Sequence, residues 1–398
     1  MPTHSHEDRL EELRRSNTAR CATHLRDHGP ASVSELARAT GLSRPTVEAA
    51  LLDLGSRGLV TTDEANESRG VGRPARVSRF HGDAGYVAGI DIGISRIRVV
   101  IADLAGEVCA FKDDEGGVHA VGEARLAAIS DLLDVALREA GVPRERLLIA
   151  HVGITGVVSL DGRLLVSHAF PDLQGIDIAG GLSAALGCPI ELDNDVNLAA
   201  VGEQRLGAAR RADDTLFFLI GKQVSAGLVL DGRLRRGHHS AAGELDAASI
   251  RIPLDENGHI IWRSAPTGRE VFALAAAGDA AADAEIGAFI AGLADTILVL
   301  IQTIDPELVV IGGPVSQAGD RFVAALANAV DRLSSQPVLP RIVASRLGSA
   351  SIAYGALARA FDRSSDLVYG ISGVPMPEIR RADDRELSGE QKGAADAA

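Results

Sequence analysis

The chain has 398 residues, 46% of them apolar, and a formal net charge of −14. That length suits two or three domains with sizeable cores; no apolar run reaches the roughly 18 residues that span a bilayer, and the polar opening "MPTHSHEDRLEELRR" lacks a secretory signal pattern. Cys21, Cys109 and Cys188 are odd in number and far apart, which argues against a disulfide framework and for a reducing cytoplasm.

Charge is unevenly spread. Residues 1–80 hold 12 Arg, no Lys and 11 acidic residues; this +1 against −14 for the whole chain leaves −15 on the remainder. An acidic body repels a polyanion, whereas a near-neutral head whose basic residues are all arginine does not. Within that head, one helix is predicted over about Ser16 to His28. A second follows Ser32, which with Glu35 forms a capping box, and it places Val33, Leu36 and Ala37 on one face before Gly41 closes it. A third starts after the N-cap Ser43, with Val47, Ala50, Leu51 and Leu54 at helical spacing and Ser43, Arg44, Thr46 and Glu48 on the other face. Two short helices around a Gly turn read as a helix-turn-helix, whose second helix enters a DNA major groove by its N-terminal residues. "LVTT" and "ARVSRF" then read as two strands of a wing. Its tip, "RGVGRPAR", offers Arg69, Arg73 and Arg76 on a strip kept thin by Gly and Pro, suited to a narrow minor groove. A three-helix protein-interaction module is the alternative.

The composition changes at His81-Gly82-Asp83. From Gly85, strands are predicted over 86–91 and 97–103, with a tight turn at Gly93 to Arg96, then a turn at Leu104 to Gly106 and a third strand. Residues 215–235 repeat this plan. Two such meanders, each followed by helix and strand patterns, predict a duplicated α/β lobe with a cleft between copies; backbone N–H groups in the first turn of each copy can cradle phosphates.

The segments "GIDIGISRIRV", "HVGITGVVSLDGRL", "ELDNDVNLAAVGE", "LDGRLRRGHHSAAGEL" and "LVVIGGPVS", in this order behind a winged helix, resemble the ROK family of repressors and sugar kinases. The resemblance covers residues 16 to 362. It implies an α/β fold: a winged helix-turn-helix over 1–80, a two-lobed, ribonuclease H-like duplicated body over 81–363 similar to actin, Hsp70 and sugar kinases, and a tail over 364–398. The last fifteen or so residues of that tail are expected to be disordered, while Leu367 to Met376 can pack on the body.

In the stretch "PIELDNDVNLAA", the resemblance makes Asn194 and Asp195 sugar contacts, with Asp195 the general base if the chain were a kinase. The types suit a polyol, since a carboxylate accepts hydroxyl protons and an amide both donates and accepts. Asp193 or Asn197 is expected to cap the helix starting near Val196. Glu244 and Glu270 match two further sugar ligands of the family. Its zinc pattern is lost, because Asp246 and Ala247 replace Gly-His and no cysteine follows Cys188, so no metal and no cofactor are expected; the same departures leave room for a non-sugar ligand. The first phosphate turn keeps Asp91 and Gly93, with Ser95 in the place of a Thr. The second reads Gly221-Lys222-Gln223-Val224-Ser225-Ala226-Gly227, where Lys222, Gln223 and Ser225 stand in for a Thr and two glycines that let backbone approach phosphate. Lys222 can instead offer its charge to a phosphorylated effector. The sum predicts a cytoplasmic, sugar-responsive DNA-binding regulator, more often a repressor in this family. It would be a homodimer or dimer of dimers on an inverted-repeat operator; a bifunctional sugar kinase is the alternative.

Overall fold

The computed structural model describes residues 6–64, 76–115, 120–245, 248–314, 320–363 and 365–381. The head is built from α1 (His6–His28), β1 (Ala31–Ser32), α2 (Val33–Thr40), α3 (Arg44–Ser56), β2 (Val60–Glu64) and β3 (Arg76–Phe80), with its strands ordered β1-β3-β2. Local chemistry sets the two short helices. Ser32 Oγ accepts from the Glu35 N–H at 3.3 Å while the Glu35 carboxylate accepts from the Ser32 N–H at 2.8 Å, and Gly41 ends α2 at φ 68°. Ser43 caps α3, whose Val47, Ala50, Leu51 and Leu54 are buried. Helix α1 begins at His6, well before the expected Ser16. Its first turns are exposed and hold polar helix formers, with Arg15 and Glu11 paired at 2.6 Å, so they carry no apolar face to read.

The first lobe contains β4 (Tyr86–Ile92), β5 (Ile97–Asp103), β6 (Val108–Asp114), α4 (Glu123–Glu139), β7 (Leu147–Ile154), the hairpin β8 (Val157–Val158) and β9 (Leu164–Val166), α5 (Ile178–Leu186) and β10 (Ile190–Asn194). Helix α6 (Asp195–Leu206) leads to the second lobe, made of β11 (Thr215–Ile220), β12 (Val224–Leu230), β13 (Arg233–Arg235), α7 (Gly268–Ala276), α8 (Ala280–Ile304), β14 (Leu308–Gly312), α9 (Asp320–Leu333) and β15 (Arg341–Ala344). The sheet orders are β6-β5-β4-β7-β10 and β13-β12-β11-β14-β15, in each case an antiparallel meander extended by two parallel strands. That is the duplication the two hairpins predict. Helix α8 corrects the reading that nothing here is long and apolar enough to cross a bilayer, since by length and composition it is. Its Phe289, Leu293, Ile297 and Ile301 nevertheless face the lobe core, as a core helix of a folded lobe does.

Helix α10 (Ser351–Arg363) returns to the first lobe and crosses α6 closely: a Cβ on Gly355 would stand 1.8 Å from the Leu198 carbonyl oxygen. After α11 (Ser365–Tyr369) the chain packs on the body, as expected for Leu367 to Met376. Residues 365–381 are built into one apolar cluster that includes Leu25 and Leu54 of the head, Val87, Val100 and Leu104 of the first lobe, and Tyr369, Ile371 and Val374. The buried Arg26 of α1 donates to the Tyr369 hydroxyl at 3.2 Å and the Pro375 carbonyl at 2.7 Å, and Tyr369 donates to the Leu104 carbonyl at 3.0 Å. Further on, the Val108 N–H donates to Arg380 O at 3.1 Å and the Arg380 N–H to Gly106 O at 2.9 Å. The last fifteen or so residues, expected to be disordered, fall within 382–398, outside the described residues.

Candidate functional site

Strand β10 pairs in parallel with β7 and ends at Asn194. Asn194 itself caps α6: its Oδ1 accepts from the Asn197 N–H at 3.0 Å. This corrects the expectation that Asp193 or Asn197 is the cap. Asp193 is instead closed on by Arg236, and Asn197 is buried with an unpartnered Oδ1. The Asn194 amide donates to the Gly156 carbonyl and to Glu244 Oε1, each at 2.9 Å. The next residue, Asp195, accepts from the Thr155 hydroxyl and from the Val196 N–H, both at 2.7 Å. Thr155 is held in turn by Ser167, whose hydroxyl donates to the Thr155 carbonyl at 2.6 Å. Sequence reasoning missed both Thr155 and Ser167; the signal was the turn "GITG", which brings a hydroxyl beside a strand end.

Glu244 arrives from the other lobe. Beyond the short β13, the Ala226 N–H donates to the Gly243 carbonyl at 2.8 Å and Ser225 forms a bridge with Glu244, so residues 243–244 take the vacant edge of β12. Only glycine fits at 243, where φ is 87° and a Cβ would lie 1.7 Å from the Ala226 carbonyl oxygen. Asn194, Asp195 and Glu244 are thus brought together where the two lobes meet. Glu270 is not. It is exposed on α7, and its carboxylate accepts from the Thr267 N–H at 3.0 Å and hydroxyl at 2.8 Å as the capping box of that helix. Asp246 and Ala247 lie outside the described residues. The residues do not fit the family's zinc: beyond the missing cysteines, no three His, Cys, Asp or Glu side chains gather as a ligand group among the described residues, and a tetrahedral site needs about four.

Loss of hydration raises the pKa of three carboxylates here. Asp91, fully buried at the end of β4, is pushed up to about 7 by burial, against the pull of Arg98 at 3.0 Å. Burial also raises Asp195, against its bonds to Thr155 and Val196. Glu244 rises to about 7 through desolvation and the negative charge of Asp195; as a residue it is exposed at the cleft mouth, so solvent moderates that rise. In the first turn the Gly93 N–H donates to Arg96 O at 2.9 Å and Ser95 is exposed. In the second turn Lys222 is exposed, and Gln223 is tied to the opposite loop, donating to the Asn257 carbonyl at 2.8 Å.

In the head, Arg44 is exposed on the first turn of α3 and Arg76 is exposed on β3. Ser43 and Thr46 are turned toward each other, with hydroxyls 2.7 Å apart. Arg69 and Arg73 lie outside the described residues.

A winged helix-turn-helix head on a duplicated, sugar-kinase-like body with carboxylates gathered where the lobes meet defines the class of this protein. Residues 87–258 and 247–363 match the ROK family model and residues 23–64 the IclR helix-turn-helix domain model; the chain belongs to the ROK family. It is similar to the protein y4fQ of Sinorhizobium fredii, at 34% identity over 221 residues, 52% of this chain and 53% of that one. It is also similar to the xylose repressor of Caldicellulosiruptor bescii, at 21% identity over 362 residues, 82% of this chain and 90% of the repressor. The chain therefore spans about half the length of the first of these relatives and nine-tenths of the second. A solved structure described as a ROK family transcriptional regulator, homolog of the E. coli MLC protein, shares the fold with a TM-score of 0.66 at 21% identity, over 90% of this chain and 96% of that one. Sugar kinases stand among the similar proteins as well.

Proposed function

We propose that this protein is a cytoplasmic, sequence-specific DNA-binding regulator of carbohydrate genes, a repressor whose operator affinity is set by a sugar held between the lobes. One observation carries the reading: the helix-turn-helix head shares a single apolar core with the lobe that bears Asn194 and Asp195. A homodimer would present two α3 helices to the half-sites of an inverted repeat, with Arg44 at base edges and Arg69, Arg73 and Arg76 at the minor groove. Sugar hydroxyls would be read by Asn194, Asp195 and Glu244. Closure on the sugar shifts α6, which starts at Asp195; α6 leans on α10, and α10 runs into the segment that grips Arg26. A ligand moves operator affinity only by its differential affinity for two states, typically about 1–3 kcal/mol.

The retained Asp91 and Asp195 favour a second reading, an ATP-dependent sugar kinase with Asp195 as base. Gln223 in the second turn and the pairing of Asp91 with Arg98 weigh against it. The test is fluorescence anisotropy on DNA from upstream of the protein's own gene, at fixed salt, across a panel of sugars and sugar phosphates. A change of about 5- to 150-fold with one of them is expected; affinity constant across the panel removes the sensor. ATP consumption with any hexose would move the conclusion to the kinase. Arg44→Ala should lower operator affinity by about 1–3 kcal/mol while leaving random DNA nearly unaffected, and equal losses on both would contradict its place at base edges.

A further inference from the structure

The resemblance to the family's kinases implies a divalent cation near Asp91, and the residues present do not fit one. Arg98 lies directly across the β4–β5 ladder from Asp91, donates to it at 3.0 Å and lies 3.3 Å from Asp113. A guanidinium is charged at every accessible pH and cannot leave by losing a proton. Arg236 is closed on Asp193 in the same way. Asp195 lies close enough to Asp91 for charge on one to bear on the other, and Glu244 feels the same carboxylate. Asp91 Oδ1 is buried without a partner. A phosphate ester beside Asp195 would meet these carboxylates with no metal between them, whereas sugar hydroxyls can donate to the same oxygens. Lys222 is exposed, where solvent screens its charge.

Resting on the sensor reading above, we propose that the cleft selects an unphosphorylated, uncharged sugar and works without a divalent cation, with Arg98 as the fixed counter-ion of Asp91. The test titrates the intact protein calorimetrically with xylose, glucose and N-acetylglucosamine, each beside its phosphate ester, in EDTA and in excess Mg²⁺. One free sugar should bind, its ester should bind about tenfold more weakly or worse, and EDTA should change nothing. An ester that binds as well as its parent sugar, or sugar binding that requires Mg²⁺, overturns the proposal. A second arm needs no effector: Mn²⁺ titration followed by water-proton relaxation. The wild type should show no saturable site; Arg98→Met should gain one that Asp91→Asn removes, and Arg98→Lys, which keeps a cation on Asp91, should not. A wild-type Mn²⁺ site abolished by Asp91→Asn, or no gain in Arg98→Met, overturns the counter-ion assignment. If no sugar or ester binds while Mn²⁺ behaves as expected, Arg98 keeps its role and it is the sensor reading that has failed.

Discussion

The two lobes lay down five strands in the same order, yet their surroundings differ. The sheet of the first lobe is flanked by α10, the head and the 365–381 segment, and its Val87 and Val100 belong to the same cluster as Leu25 and Leu54 of the head. The core of the second lobe, with Phe289, Leu293 and Phe322, forms a separate cluster. Duplication therefore fixes strand order, while the elements packed on each copy decide what it is connected to. The first lobe is wired to the head; the second packs one sheet face on α6 and α10 and adds Glu244 to the site from an edge.

The largest effect that probes this asymmetry is steric. Gly355→Val must drive α10 away from the Leu198 carbonyl and should cost about 3 kcal/mol or more, read from urea denaturation. Gly287→Ala, on α8 of the second lobe with nothing within 4 Å of a new Cβ, should instead stabilise by up to about 1 kcal/mol. Next comes pH. Asp91 titrates near 7 in the folded chain against 3.8 for the free side chain, so between these values the folded state holds more protons. Its contribution to stability therefore falls as pH rises from about 4 to about 7, by on the order of a few kcal/mol. Denaturation midpoints across that range should show the slope, to which Glu244 and Asp195 add with the same sign, and Asp91→Asn should reduce it. Tyr369→Phe removes the hydroxyl shared by Arg26 and Leu104 and should cost about 1–3 kcal/mol. Hydrogen exchange should then quicken in α1 and stay unchanged in α8; equal quickening in both would erase the contrast between the lobes. Smallest is Glu270→Ala, which loses a capping box worth about 1 kcal/mol. Effector affinity should not move, and a fall in it would return Glu270 to the proposed sugar site.

What could be read from sequence is what is decided locally. Ser32 with Glu35, Gly41 and Ser43 mark helix ends because a cap is satisfied within three or four residues, and the paired meanders show as apolar runs broken by Gly-containing turns. Arg98 was not legible as the partner of Asp91, because that contact depends on strand register rather than spacing. The role of Arg26 was hidden for a stronger reason: its acceptors lie 343 and 349 residues away. At Glu270 the family motif and the local capping signal compete for one carboxylate, and in this structure the cap wins. At Asn194 the motif drew attention to the outward amide and obscured the Oδ1 that starts α6.

The Asn194 amide has a further consequence for ligand entry. Both of its N–H bonds are already committed, to Gly156 and Glu244, and its oxygen terminates a helix. A sugar bound there as proposed would enter by substitution: a hydroxyl that accepts from this nitrogen must evict Glu244 or a main-chain oxygen, and gains only the difference between the two partners. Discrimination among near-identical molecules then rests on how well each one replaces the displaced carboxylate.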